Sequence, residues 1–364
     1  MKNLTIDKMK NIYVALFILL VFTACKKDQQ SNEASILDYS VTNISRHSFT
    51  LDEVYLDNSN HIIYMLFANS IPTDSLPLQF TPSFNLSTGA KATPTSGEAV
   101  TINNMNDRFT YTLTAEDGTN IDYFVVLRDN QIPDNGFENW YYEKGMNGKP
   151  CIEPGESAST TVWATANQGT SIYNLFGTTP IVVDGNTYAQ IATGETSSIP
   201  ITSGTLFTGK FDIQGAISHP TDPRKATKFG IPFCLSPDSI KFEYTYQPGS
   251  RYIRATLNNP VSIFGGFTVT DIPGSDMFTA YAILEVRDGS NVTEIGRAQI
   301  TSGDTQLVMK KISIPFVYST LQKPTHISVV FASSKDGDLF TGAVGSTLTI
   351  DNVELVYNYF TVPK

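Results

Sequence analysis

From Phe109 to Leu127 the chain alternates apolar and polar residues with a period of two, interrupted once. Phe109, Tyr111 and Leu113 stand at every second position, then Glu116-Asp117-Gly118-Thr119-Asn120 supplies a turn. Ile121, Tyr123, Val125 and Leu127 resume the alternation. Successive side chains of a strand point to opposite faces, so this pattern predicts a β-hairpin with one buried face. Tyr39 to Val41 and Ile62 to Phe67 read as further strands. The pattern returns later, where Phe242, Tyr244 and Tyr246 alternate with Glu243 and Thr245, and Ala282, Leu284 and Val286 precede Asp288-Gly289. Ile327, Val329 and Phe331 follow, then Leu348 and Ile350 with Val353 and Leu355. Long amphipathic helical patterns are missing. Many short strands without helices predict an all-β fold of the sandwich or jelly-roll type.

The N-terminus is of another kind. Lys2, Lys8 and Lys10 precede an unbroken run of 11 apolar residues, Ile12 to Phe22. A spanning helix needs about 20, so the run is too short to cross a bilayer and has the form of a secretory signal. Phe22-Thr23-Ala24-Cys25 resembles a bacterial lipobox, with Phe22 in place of the usual Leu. Residues 1–24 are therefore expected to be removed and Cys25 to carry the lipid, with residues 25–35 as a polar tether. Acyl chains hold a protein on a membrane without any spanning segment. The expected location is the outer membrane, by lipid anchor only. Lys26-Lys27-Asp28 does not specify which face.

The whole chain carries −10, and removal of residues 1–24, with three Lys and one Asp, leaves −12. Nucleic acid, whose phosphates need a basic footprint, is excluded as a partner. The remaining cysteines, Cys151 and Cys234, are too few for a disulfide framework, though a single bridge is open. A mature chain of about 340 residues predicts two domains. Residues 36–129 read as one β-sandwich, Asp129-Asn130-Gln131-Ile132-Pro133-Asp134 as a linker, and residues 135–358 as a larger one.

Several motifs suggest chemistry that their context refuses. Gly204-Thr205-Leu206-Phe207-Thr208-Gly209-Lys210 imitates a phosphate loop, but Phe211 and Ile213 continue a strand alternation where a helix is required. No Gly-x-Ser-x-Gly elbow occurs, and His47, His61, His219 and His326 are isolated. Asp336-Gly337-Asp338 reads as a turn. Glycoside hydrolysis needs only two suitably spaced carboxyl groups, and pairs such as Glu243 and Glu285 fit by residue type alone.

The second region resembles the putative carbohydrate metabolism domain (PCMD) family, found in lipoproteins of diderm bacteria. The likeness lies in Gly136-Phe137-Glu138-Asn139-Trp140, Trp163-Ala164-Thr165-Ala166-Asn167 and Leu206-Phe207-Thr208-Gly209-Lys210-Phe211. It continues in Gly230-Ile231-Pro232-Phe233, in the run Ala332 to Gly342, and in Gly345 to Asp351. The resemblance implies a jelly-roll β-sandwich similar to carbohydrate-binding modules. Residues 36–129 look like the immunoglobulin-like domain that often precedes it. A Phe-Glu at the opening strand and an Ile-Asp-Asn-Val near the last are also seen in xylanase-associated modules, where such carboxylates help to hold a structural calcium. Glu138 and Asp351 are the corresponding pair here, with a salt bridge or capped turn as the metal-free alternative.

Sugar binding calls for an aromatic face and polar side chains in a concave site. Trp163, Asn167 and Tyr173 are the expected ligand-binding residues, with Tyr141, Tyr142 and Tyr252 behind them. Trp140 beside Phe137 reads as core, and core packing is the competing account of Trp163. The expected function is non-catalytic binding of a poly- or oligosaccharide, accessory to a glycan-utilisation system and its outer-membrane uptake proteins. A glycoside hydrolase on a jelly-roll scaffold and a structural or adhesion protein are the alternatives.

Overall fold

The computed structural model of the chain describes residues 30–44, 50–67, 71, 76–105 and 107–357. The expected signal segment, Cys25, residues 26–29 of the tether and His47 lie outside the described residues. The chain is all-β. Among the described residues the α-helical segments are Asn167–Thr170 and Ile213–Ser218.

The alternating run around Asp117 forms the hairpin its pattern requires. Phe109–Thr114 pairs antiparallel with Asn120–Arg128, Tyr111 facing Tyr123. Both tyrosines are buried with Leu113 and Val125, while Thr112 Oγ1 on the other face donates to Asp122 at 2.7 Å. Leu51–Asp57, Ile62–Phe67 and Lys91–Thr93 complete a five-stranded sheet. A three-stranded sheet of Ile36–Thr42, Leu78–Leu86 and Val100–Ile102 faces it. Ile36, Phe80 and Ile102 from the second meet Met65, Tyr111 and Val125 from the first in one core.

A second, larger core lies between two further sheets. One runs Trp163–Thr165, Thr205–Phe211, His326–Ala332, Phe278–Asp288, Asn291–Ser302 and Val317–Tyr318, with two short strands attached. The other runs Thr178–Val183, Asn186–Ala192, Thr347–Val356, Ser239–Gln247 and Gln306–Pro315. Ala280, Ala282, Leu284, Val329 and Phe331 of the first pack on Ile191, Phe242, Tyr244 and Ile350 of the second. Each fully buried large apolar side chain contributes about 1.5–3 kcal/mol relative to exposure. The segment that imitates a phosphate loop runs into the strand Thr205–Phe211, but the alternation expected to continue through Ile213 is a correction: Asp212 caps a helix there and Ile213 is its first residue. Gly209 is required there: with φ +137, a Cβ would stand 2.0 Å from the Lys228 carbonyl oxygen.

The stretch read as a linker is stitched down. Gln131 Nε2 donates to the Leu355 carbonyl at 2.9 Å, and the Leu355 amide donates to Gln131 Oε1 at 2.8 Å. Tyr357 donates to the Asn130 carbonyl, and Ile132 is buried in the larger core. Asn135 continues the pairing through Val353, at 2.6 and 3.0 Å. The two bodies also touch along Leu51–Asp57, where Lys323 reaches Asp52 and Glu53 at 2.7 and 3.2 Å. Tyr55 meets His326 edge to face there. Cys234 donates to Asp52 in the same interface, and Cys234 and Cys151 are both free thiols, so the bridge left open by the sequence is not made.

Candidate functional site

The outer face of the eight-stranded sheet, away from the core, is the floor of a cleft of about 1000 Å³. Its position follows from strand alternation. Ala280, Ala282 and Leu284 point into the core, so Thr279, Tyr281 and Ile283 point out. Register sets these beside Thr301, Gln299 and Arg297 of the neighbouring strand. On the other side Ala332 and Val330 continue the rows, then Thr205 and Phe207. Four strands about 4.8 Å apart give a floor roughly 14 Å across.

Two connections wall the floor. The first runs from Asp212 to Ala226. Asp212 caps the helix Ile213–Ser218 by accepting from the Gly215 amide at 3.0 Å, and pairs with Lys228 at 3.2 Å. This segment brings Ile217, His219, Pro220 and Arg224 to the cleft. The second is the turn at Asp336-Gly337-Asp338. It is held from behind by Asp276, which is fully buried. Asp276 Oδ2 accepts from Ser334, Ala343 and Ser346 at 2.5, 2.8 and 2.6 Å. Burial pushes the Asp276 carboxyl above its ordinary range, and these hydrogen bonds oppose the shift.

Arg224 and Asp338 join the two walls through an ion pair. On the floor Arg297 forks onto Glu294 at 2.6 and 2.7 Å, donates to Gln299 Oε1 at 3.1 Å, and lies 5.6 Å from the centre of the Tyr281 ring. Ile172, Ile201, Ile263 and Phe229 make much of the remaining surface apolar. Phe264 stands at the rim, 82% exposed. Two wall hydroxyls, of Tyr173 and Thr202, are shielded from solvent and have no partner. An aromatic floor, an exposed aromatic rim and fixed planar polar groups can hold a pyranose by its C–H face and its hydroxyls together.

Of the three ligand-binding residues expected from sequence, the cleft takes only Tyr173. Trp163 is a correction. It is 1% exposed, donates from Nε1 to the Pro133 carbonyl at 2.8 Å, and packs edge-on against Phe137. Asn167 is another. It is 1% exposed and its amide is used up, Nδ2 donating to the carbonyls of Ile152 and Thr178, and Oδ1 accepting from the Thr178 amide. Both residues are framework because one face of Trp163–Thr165 and the short helix after it close the end of the core. Trp140 is half-buried and donates to the Phe137 carbonyl. Tyr142 is 73% exposed, but neither it nor Tyr141 or Tyr252 lines the cleft, and Glu243 and Glu285 sit in different sheets.

Glu138 and Asp351 come together because the opening stretch runs beside the last strand. Asp351 is buried and accepts from Asn186 Nδ2 at 2.8 Å and from the Asn352 amide at 2.7 Å. Burial raises its carboxyl, and the charges of Glu138 and Glu243 act in the same direction. No group of three or more His, Cys, Asp or Glu side chains among the described residues is arranged to hold a metal.

Residues 136–356 match the family described as "Putative carbohydrate metabolism domain". The chain belongs to this family. The PCMD chain is similar to two solved structures. One is a putative glycoside hydrolase from Bacteroides thetaiotaomicron VPI-5482, at 24% identity and TM-score 0.51, covering 92% of this chain and 99% of that one. The other is a putative glycoside hydrolase from Bacteroides vulgatus ATCC 8482, at 25% identity and TM-score 0.50, covering 61% and 97%. No curated protein matches. The first likeness extends over both bodies of the PCMD chain and shows a shared fold.

Proposed function

We propose that this protein binds carbohydrate without cleaving it, and that the cleft over Tyr281 is where an oligosaccharide lies. The observation that supports this most is the group Tyr281, Gln299 and Arg297 on the floor of a cleft that the exposed ring of Phe264 also lines. It sets aromatic faces and a fixed guanidinium fork on one concave surface. The two carboxylates that line the cleft are committed to cations, Asp338 to Arg224 and Asp336 to Lys335. Hydrolysis needs a carboxyl free to hand its proton to the glycosidic oxygen. A glycan array with hydrolysis products assayed on the same plate is the direct test. Retained glycan with no product is the expected outcome, and product release would transfer the protein to the hydrolases. Phe264→Ala should weaken binding by about 1–3 kcal/mol, roughly 5- to 150-fold, with no change in melting temperature, because the ring is solvent-exposed. Equal affinity in that variant would take the rim out of the site.

On this reading the protein works in the cell envelope, held to the outer membrane by an acylated Cys25, as an accessory to glycan uptake. Mass spectrometry of the membrane-extracted protein tests the anchor. Hard oxygen donors at Glu138 and Asp351 suit calcium: Asp351 is buried among negative charges, and a divalent ion there would offset them. These two side chains would hold it, and its chemistry would be structural, tying the opening stretch to the last strand. Chelator should then lower the melting temperature and added calcium restore it, since an ion bound only to the native state adds stability. An unchanged melting temperature would leave Asp351 as a hydrogen-bonded strand carboxylate without a metal.

A further inference from the structure

Every Arg and Lys side chain among the described residues lining the cleft is in contact with a carboxylate. Arg224 is held by Asp338, Lys335 by Asp336 at 2.5 Å, and Arg297 by both oxygens of Glu294. Three cations are thus answered by three acids, and these pairs carry no surplus of either sign. Around them the chain as a whole carries −10. A polyanion approaching this surface meets a repulsive field, and each charge it delivers must displace a carboxylate already in place. Hydroxyl groups face no such penalty. A paired guanidinium keeps N–H donors to spare and a paired carboxylate keeps lone pairs, so a fork can serve neighbouring ring hydroxyls without being opened.

We propose that the cleft selects an uncharged glycan, one without uronic acid, sulfate or phosphate groups, and that the Arg224–Asp338 pair is part of the filter. This rests on the carbohydrate-binding reading above and narrows it to a chemical class. The test is a titration of the native chain with neutral probes (mixed-linkage β-glucan, mannan, unsubstituted xylan) and anionic ones (polygalacturonate, alginate, chondroitin sulfate). Each is run at low salt and at about 0.5 M, where charge interactions are screened within a few ångströms. The expected result is binding to at least one neutral probe, with an affinity that salt changes less than about twofold, and no binding to the anionic set. Asp338→Asn frees Arg224 and should gain about tenfold in affinity for polygalacturonate, a gain that salt removes. Salt-sensitive binding of any anionic probe by the native chain overturns the proposal. So does a folded Asp338→Asn protein, checked by its melting curve, that gains nothing for polygalacturonate. Failure of every probe in both sets brings down the carbohydrate reading itself, and the selectivity with it.

Discussion

Glu153→Gln should remove a large part of the pH dependence of stability and make the protein more stable than the native chain above pH 8. Glu153 is 3% exposed on the strand Pro150–Pro154, beneath Thr165, whose hydroxyl lies 2.9 and 3.0 Å from its two oxygens. Burial pushes its carboxyl up to about 8, the nearby charge of Glu143 adds to the shift, and the Thr165 hydrogen bonds oppose it. The folded protein therefore keeps a proton that the unfolded chain releases near its ordinary value of 4.5. Stability from this proton is fully present below that value and is lost as pH rises toward 8. The slope is about 1.4 kcal/mol per pH unit across the window. Gln keeps the shape and never ionises. Denaturant melts of both proteins from pH 5 to pH 9 measure the difference. Parallel stability profiles for the two would rule out a proton on Glu153.

Trp163→Ala should cost about 3–5 kcal/mol of stability, the range for truncating a buried aromatic side chain. The ring fills the end of the larger core against Phe137 and Phe331, and its Nε1–H satisfies the Pro133 carbonyl. The loss should appear as a lower melting temperature, and glycan affinity measured well below the melt should remain. Trp163→Phe keeps most of the volume but drops the hydrogen bond, and should lose less. A Trp163→Ala protein with unchanged melting and weakened binding would return this residue to the ligand.

The strands were legible because a period of two needs no partner to be recognised. The alternating runs around Tyr111, Tyr123, Tyr244, Leu284, Val329 and Ile350 are strands that bury the face their apolar residues mark, whereas Ile213, read as extending the Phe211 alternation, opens a helix. The site was less legible. Tryptophan and a neighbouring asparagine are the residue types of sugar sites, but burial depends on what crosses over a strand, and Phe137 and Pro133 come from elsewhere in the chain. The cleft had a weak signal in the strand Phe278–Asp288. Tyr281 and Ile283 put bulky groups on the face opposite Ala282 and Leu284, whereas a solvent-facing side usually carries small or charged residues. Its polar partners could not be found by spacing. Arg224 and Asp338 are 114 residues apart, and their meeting is a result of two connections folding over the same sheet. The proximity of Glu138 to Asp351 came instead from family resemblance.

The strand Thr347–Val356 is not at an edge: it lies between Asn186–Ala192 and Ser239–Gln247, and receives the 130–135 stretch as well. Chains are synthesised from the N-terminus, and domains generally fold as units. This sheet thus has a gap at its centre until nearly the whole polypeptide has left the ribosome, and closing it requires pairing across a hundred residues or more on each side, which makes assembly slow. The larger body therefore stays open through most of synthesis, while the smaller one, complete by Arg128, can close long before it.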